Sequence, residues 1–218
     1  MKRILCYGDS NTWGYIPGSG ERYPEEVRWP TRLQKLLGGD YRIIEEGLNG
    51  RTTVVDDPIQ PYRCGLEYLR PCLLSHMPLD LVIIMLGTND TKRRFSLSAS
   101  EIARGIEQLV SAVRESGAGP ADAGTGDSPR SSPQVLILSP PLIGTYSKND
   151  DFEGAAEKSK NFGAEFSAAA GAHGCGFLDL GRHLSAADND GVHLTPDQHA
   201  LLAELALEEI RSMQGPAA

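Results

Sequence analysis

The sequence predicts a doubly wound α/β domain built on a parallel sheet, and three observations carry that prediction. Five short apolar runs rich in Ile, Val and Leu recur along the chain: "RILCYG" at 3–8, "YRIIEEG" at 41–47, "DLVIIMLG" at 80–87, "QVLILSPP" at 134–141 and "GFLDLG" at 176–181. They lack the strict alternation of a half-wet sheet, so they read as strands covered on both faces, the habit of parallel sheets. Longer helical patterns separate them, near 28–38, 62–76, 98–116, 152–173 and 195–213. The resulting β-α alternation is the pattern of helices wound over both faces of one sheet.

Taken in order, the strands share one habit at their carboxyl ends. The first breaks into Gly8, Asp9, Ser10, Asn11 and Thr12, a turn whose residues also cap helices well. The second exits into "GLNGRTT", Gly47 to Thr53, and the third into "GTND", Gly87 to Asp90. The fourth ends in Ser139-Pro140-Pro141, and the fifth is followed by "DNDGVHLTPDQH", Asp188 to His199. In a doubly wound sheet these exits lie along the edge where ligands bind. Small, hydrogen-bonding or titratable groups at nearly every exit exceed what capping requires. The stretch "GAGPADAGTGDSPRSSP" at 117–133 has no periodicity and reads as a flexible surface loop without chemistry. Five strands and their helices fill residues 1–218, so a single domain is expected.

Composition narrows the partners. Of 218 residues, 40% are hydrophobic and 23% charged, with a net charge of −8. That balance suits a soluble globular domain and opposes nucleic-acid or anionic-membrane binding, which select basic surfaces. The one tight basic run, Lys92-Arg93-Arg94, reads as a solvated loop. Four cysteines (Cys6, Cys64, Cys72, Cys175) show no CxxC or Cys/His metal-ligand spacing and are expected to be reduced, with a Cys64–Cys72 bridge the lesser alternative. No leader pattern and no membrane-length apolar run stand out, and the expected location is cytoplasmic.

The exits supply the parts of a serine-based acyl transfer. A serine hydroxyl needs a base to take its proton, and the imidazole that serves needs a carboxylate to hold its tautomer. Among five histidines, His76 falls at the wrong sheet edge, His173 reads as a C-cap or surface residue, and His199 lies on the last helix. His183 follows the fifth strand but has no acid at short spacing. His193 follows Asp190 by three residues within "DGVHLTP", so one turn can present acid and imidazole together. Read alone, that turn is equally an Asp-Gly turn before a helix cap. Three donors suit a developing oxyanion: the Ser10 backbone N–H, the Gly50 backbone N–H and the Asn89 side-chain amide.

In order along the chain, "GDSNTWG", the glycine of "GLNGRTT", "GTND" and "DGVH" resemble the four blocks of the SGNH (GDSL-type) hydrolases. "RILCYGDSNTWGY", "EEGLNGRTTVVDDP" and "LDLVIIMLGTNDTK" are most similar to the bacterial arylesterase/acyltransferase branch. The resemblance implies a three-layer α/β/α, flavodoxin-like fold with a five-stranded parallel sheet. It also implies hydrolysis of small carboxylic esters, acetyl foremost, with no metal or organic cofactor. Carried over by position, Ser10 is the nucleophile, His193 the base and Asp190 its orienting carboxylate; Ser10, Gly50 and Asn89 form the oxyanion hole, and Asp9 holds the loop. Trp13 and Asn11 are expected at the substrate pocket, Trp13 as a wall or else a core residue. The branch includes oligomers, so a homo-oligomer is expected, with segments 15–28 and 142–160 as pocket or interface loops. Three alternatives stay open. They are a carbohydrate deacetylase on the same site, a Mg²⁺-dependent phosphatase with Asp9 as nucleophile, and a non-catalytic binding module.

Overall fold

The computed structural model describes residues 1–121, 131–145, 150–187 and 190–214. Five parallel strands, β1 (Lys2–Gly8), β2 (Tyr41–Gly47), β3 (Leu81–Met85), β4 (Gln134–Ser139) and β5 (Gly176–Asp179), form one sheet in the order β2-β1-β3-β4-β5. The doubly wound sheet expected from the apolar runs is therefore present. Register places Gly8 of β1 opposite Gly47 of β2 and Met85 of β3, so three exits end level at one edge.

Among the described residues the α-helices that follow the strands are α1 (Ser10–Trp13), α2 (Trp29–Leu37), α3 (Gly65–His76), α4 (Ala99–Arg114), α5 (Ala155–Ser159), α6 (Phe162–Ala172) and α7 (Pro196–Met213). Local chemistry fixes the starts of the two longest. Ser98 and Glu101 form a capping box on α4, and Thr195 and Gln198 form one on α7, with Pro196 at the first turn.

Alternate residues of each strand feed two cores. Leu5, Tyr7, Val82, Ile84, Val135 and Ile137 pack under α3, α4 and α6; Ile4, Cys6, Ile83, Leu136 and Leu138 pack under α2 and α7. Each fully buried aliphatic side chain contributes about 1.5–3 kcal/mol of transfer free energy. The two layers together make a three-layer α/β/α sandwich, and both faces of the sheet are dry, which explains the uninterrupted strands.

Several elements differ from expectation. The helical pattern at 152–173 is divided into a short 3₁₀ turn, α5 and α6, because Gly154 enters in the left-handed conformation and the helix is interrupted at Lys160–Asn161. The basic run is not a solvated loop. Lys92 is 5% exposed with its ammonium 5.7 Å from the Phe152 ring centre, and Arg94 pairs with the buried Asp57 and with Asp151. Only Arg93 is exposed, paired with Glu153. Of the 117–133 stretch, 122–130 lie outside the described residues. Its flanks are pinned, Gly119 N–H to Ser131 C=O at 2.8 Å and Ser131 N–H to Pro120 C=O at 3.1 Å. All four cysteines are free, so no Cys64–Cys72 bridge forms.

Candidate active site

The site begins where β1 stops. Asp9 caps α1, its Oδ1 accepting the Asn11 N–H at 2.9 Å, and Ser10 becomes the first residue of that single helical turn. Gly14 closes it in the left-handed conformation. The turn can lie flat on the sheet edge because position 47 has no side chain: a Cβ there would stand 2.2 Å from the Trp13 nitrogen. Burial raises the Asp9 carboxyl to about 6, against the opposing pull of its bond from the Asn11 N–H and of His193.

Across the crevice, one Asp-Gly turn presents both acid and imidazole. Asp190 Oδ1 accepts the N–H groups of Val192 and His193, each at 2.9 Å, while Oδ2 lies 2.8 Å from His193 Nδ1. His193 Nε2 lies 2.9 Å from Ser10 Oγ. Partial burial works to raise the Asp190 pKa, but the hydrogen bonds from the His193 ring and from the two peptide N–H groups outweigh it and bring it down to about 2. A carboxylate at Nδ1 keeps the hydrogen on that nitrogen and leaves Nε2 bare toward the serine hydroxyl.

The same stretch that follows Ser10 also braces this turn. Tyr15 stacks on the His193 ring with centroids 4.1 Å apart, and the Gly18 N–H donates to Asp190 Oδ2 at 3.2 Å. From the other side, the Gly144 N–H holds the Gly191 carbonyl at 2.8 Å. Segments 15–28 and 142–160 thus reach the site through these contacts, although 146–149 lie outside the described residues.

Two further exits reach the end of β1, the Leu48 N–H donating to the Gly8 carbonyl at 3.1 Å and Asn89 approaching Asp9. Gly50 takes a φ of +80°, and its N–H has no acceptor among the described residues; the Ser10 N–H is likewise free among them. Asn89, 5% exposed, donates from Nδ2 to the Arg51 carbonyl at 3.1 Å, and its other contact, Asp9 Oδ2, is long at 3.5 Å. Asp90 joins the second and third exits, accepting the Thr53 N–H at 2.9 Å and the Thr53 hydroxyl at 2.5 Å. Burial raises Asp90 to about 6, with the Thr53 bonds opposing. Arg51 braces the loop through the carbonyls of Gly8 and Glu46 and lies on the Tyr7 ring at 4.2 Å.

Not every expected residue converges. Asn11 is not a pocket residue: it is 2% exposed and both amide atoms are taken, Nδ2 by the Val192 carbonyl and Oδ1 by the Leu194 N–H, each at 3.2 Å. Trp13 is half-buried beneath the Arg22 guanidinium and 6.4 Å from the Tyr15 ring; the core tryptophan is Trp29. Ser139 turns away to Asp179 Oδ1 at 2.9 Å. His183 is exposed, His173 caps α6, and His199 is fully buried, its Nδ1 accepting the Trp29 N–H at 3.3 Å. His76 pairs with Glu46 at 2.8 Å. Donor atoms of Glu46, Cys72 and His76 lie within 4.8 Å of one another, a set the residue spacing did not reveal because Glu46 comes from another element. Burial first, then Glu46, pushes the Cys72 thiol up to about 12 while the nearby Arg51 opposes, so that thiol stays protonated.

Asp9 is 1% exposed and occupied as a cap, a poor situation for a phosphatase nucleophile. Tyr15, Gly18 and Arg51 escaped the sequence reading. Tyr15 and Gly18 sit in an aperiodic loop, and the role of Arg51 depends on carbonyls that only the fold brings near. The arrangement of Ser10, His193 and Asp190 can move a proton from a hydroxyl to an imidazole held by a carboxylate.

Comparison with known proteins finds similar chains. An aryl esterase from M. smegmatis, in its inhibitor-bound form, superposes with a TM-score of 0.89 at 40% identity, covering 97% of this chain and 99% of that one. An acetylxylan esterase from Xylanibacter ruminicola is 30% identical over 142 residues, 63% of this chain and 28% of its own length. An arylesterase from Vibrio mimicus is 32% identical over 120 residues, 54% of this chain and 51% of its own. The matches to these two curated relatives therefore span about a quarter and about half of their lengths. No helix among the described residues is long and apolar enough to cross a membrane. Residues 6–201 match the model of the GDSL-like lipase/acylhydrolase family, and the chain belongs to that family.

Proposed function

We propose that the protein is a serine esterase acting on small carboxylic esters, aryl or alkyl and acetyl foremost, through an acyl-enzyme on Ser10. The observation that carries this reading is the unbroken relay from Asp190 Oδ2 to His193 Nδ1 at 2.8 Å and from His193 Nε2 to Ser10 Oγ at 2.9 Å. His193 takes the Ser10 proton as Oγ bonds to the ester carbonyl carbon. The oxyanion then receives the N–H groups of Ser10 and Gly50, and the Asn89 amide hydrogen that now makes only a 3.5 Å contact to Asp9. As the intermediate collapses, the imidazolium returns the proton to the departing alkoxide. Water repeats the sequence in reverse and frees the acid; an alcohol in its place gives acyl transfer. Asp190 stabilises the imidazolium throughout.

Hydrolysis of p-nitrophenyl acetate in the presence of EDTA, by wild type and Ser10→Ala, tests the proposal. Activity in wild type and its collapse in the variant are expected. An inactive wild type, or a fully active Ser10→Ala, overturns it. Likeness to an acetylxylan esterase supports a second reading, deacetylation of carbohydrate. Release of acetate from acetylated xylan at a kcat/KM above that for p-nitrophenyl acetate would favour it.

A further inference from the structure

We propose that Asn11 is a positioning residue whose side-chain amide ties the Ser10 turn to the two peptide groups flanking His193, and so sets the distance between hydroxyl and imidazole. The inference rests on the reading of Ser10 as nucleophile and His193 as base. Asn11 immediately follows Ser10 in α1, and its own N–H is fixed by Asp9 Oδ1 at 2.9 Å. Its Nδ2 donates to the carbonyl of Val192 and its Oδ1 accepts from the N–H of Leu194, both at 3.2 Å. Those two peptide groups bracket His193 in a segment 181 to 183 residues away in sequence.

The geometry suits this one side chain. Asn offers a donor and an acceptor on a single rigid plane, matching a carbonyl and an N–H presented two residues apart. Leucine keeps the branching of asparagine, with bulkier ends, and leaves both peptide groups unpaired in a buried place, since Val192 is 6% and Leu194 0% exposed. Aspartate keeps the acceptor for Leu194 and loses the donor for Val192. Ser10 and His193 ride on different elements, β1–α1 and the turn before α7. A direct clamp between those elements fixes their separation where Ser10 Oγ and His193 Nε2 must meet. A displacement of about 1 Å between reacting groups costs on the order of a hundredfold in rate.

A double-mutant cycle with His193→Ala tests it, using p-nitrophenyl acetate turnover and the rate of inactivation by a serine-directed phosphonate. Asn11→Leu is expected to lower kcat by about 30- to 100-fold with KM within about twofold, and to slow phosphonate inactivation in parallel. Asn11→Asp is expected to lose less. On the His193→Ala background the same substitutions are expected to change kcat by less than about twofold, because the group they position is gone. An unchanged kcat in folded Asn11→Leu overturns the proposal. So does a penalty equally large on both backgrounds, which would mean a general loosening of the site. If Asn11→Leu does not fold, Asn11→Asp carries the cycle; failure of both to fold assigns Asn11 to stability alone and overturns the proposal. An inactive wild type would instead overturn the esterase reading on which it rests.

Discussion

Tyr15 lies nearly parallel to the imidazole of His193, ring centroids 4.1 Å apart and planes inclined by 26°. The stack covers one face of a ring whose two nitrogens are already committed to Asp190 and Ser10. The imidazole is thus held in its plane by hydrogen bonds and against rotation by packing.

From that contact, Tyr15→Leu should reduce kcat. An aromatic face against an imidazolium is worth about 0.5–2 kcal/mol, and about 1.4 kcal/mol is tenfold in rate. A loss of roughly 2- to 30-fold is expected with p-nitrophenyl acetate, while Tyr15→Phe, which keeps the face, should stay within about twofold of wild type. Equal losses in both variants would point to the hydroxyl rather than the stack.

Gly47→Ala should damage both stability and activity. The added Cβ would stand 2.2 Å from the Trp13 nitrogen, and backbone cannot move aside as a flexible side chain can. Overpacking of this kind costs about 1–3 kcal/mol. Because the atom pushed is in α1, kcat/KM should fall by at least about tenfold. Gly39→Ala is the control, since a Cβ there meets nothing within 4 Å. Denaturant melts and initial rates on the two variants check the contrast.

His199 should make stability depend on pH. Burial first, then the nearby Arg32 and Arg28, lower its pKa to about 4 from an ordinary 6.5. Between those values the unfolded chain binds a proton that the folded chain refuses. Stability from this group is therefore full above about pH 6.5, declines as pH falls, and levels off below about 4. The full span amounts to ~3 kcal/mol. Asp9 and Asp90 act in the opposite sense: raised to about 6, they make the fold more stable as pH falls from about 6 to 4. Unfolding of wild type and His199→Gln across pH 4–7 should separate the two, because the carboxylate contribution cancels in the difference. A difference that does not vary with pH would remove His199 from the account.

Much of the molecule was legible as a string of residues. The five strands followed from apolar runs, because a sheet buried on both faces leaves no polar side of a strand to interrupt them. Ser10, His193 and Asp190 were readable because strand exits converge on one edge and because Asp190 and His193 share a turn. The start of α7 was written as Thr195-Pro196, and the fold adds Gln198 as the second half of its cap. These are local signals, carried by propensity, periodicity and short spacing.

The sequence by itself therefore determined the five-stranded parallel sheet and pointed to Ser10, Asp190 and His193 as side chains that would meet at one edge of it, which they do. The tertiary structure decided their neighbours. Asn11 was an unexplained polar residue until the fold brought the peptides of Val192 and Leu194 to its amide. Lys92 looked like a solvated cation until Phe152, Asp57 and Asp151 closed around the run. Tyr15 and Arg51 stood inside quoted motifs without a role of their own, and Gly18 carried no motif. The physical reason is the same in each case. A hydrogen bond or a ring stack between segments up to more than 180 residues apart depends on distances of a few tenths of an ångström, and those are set only when both cores have packed.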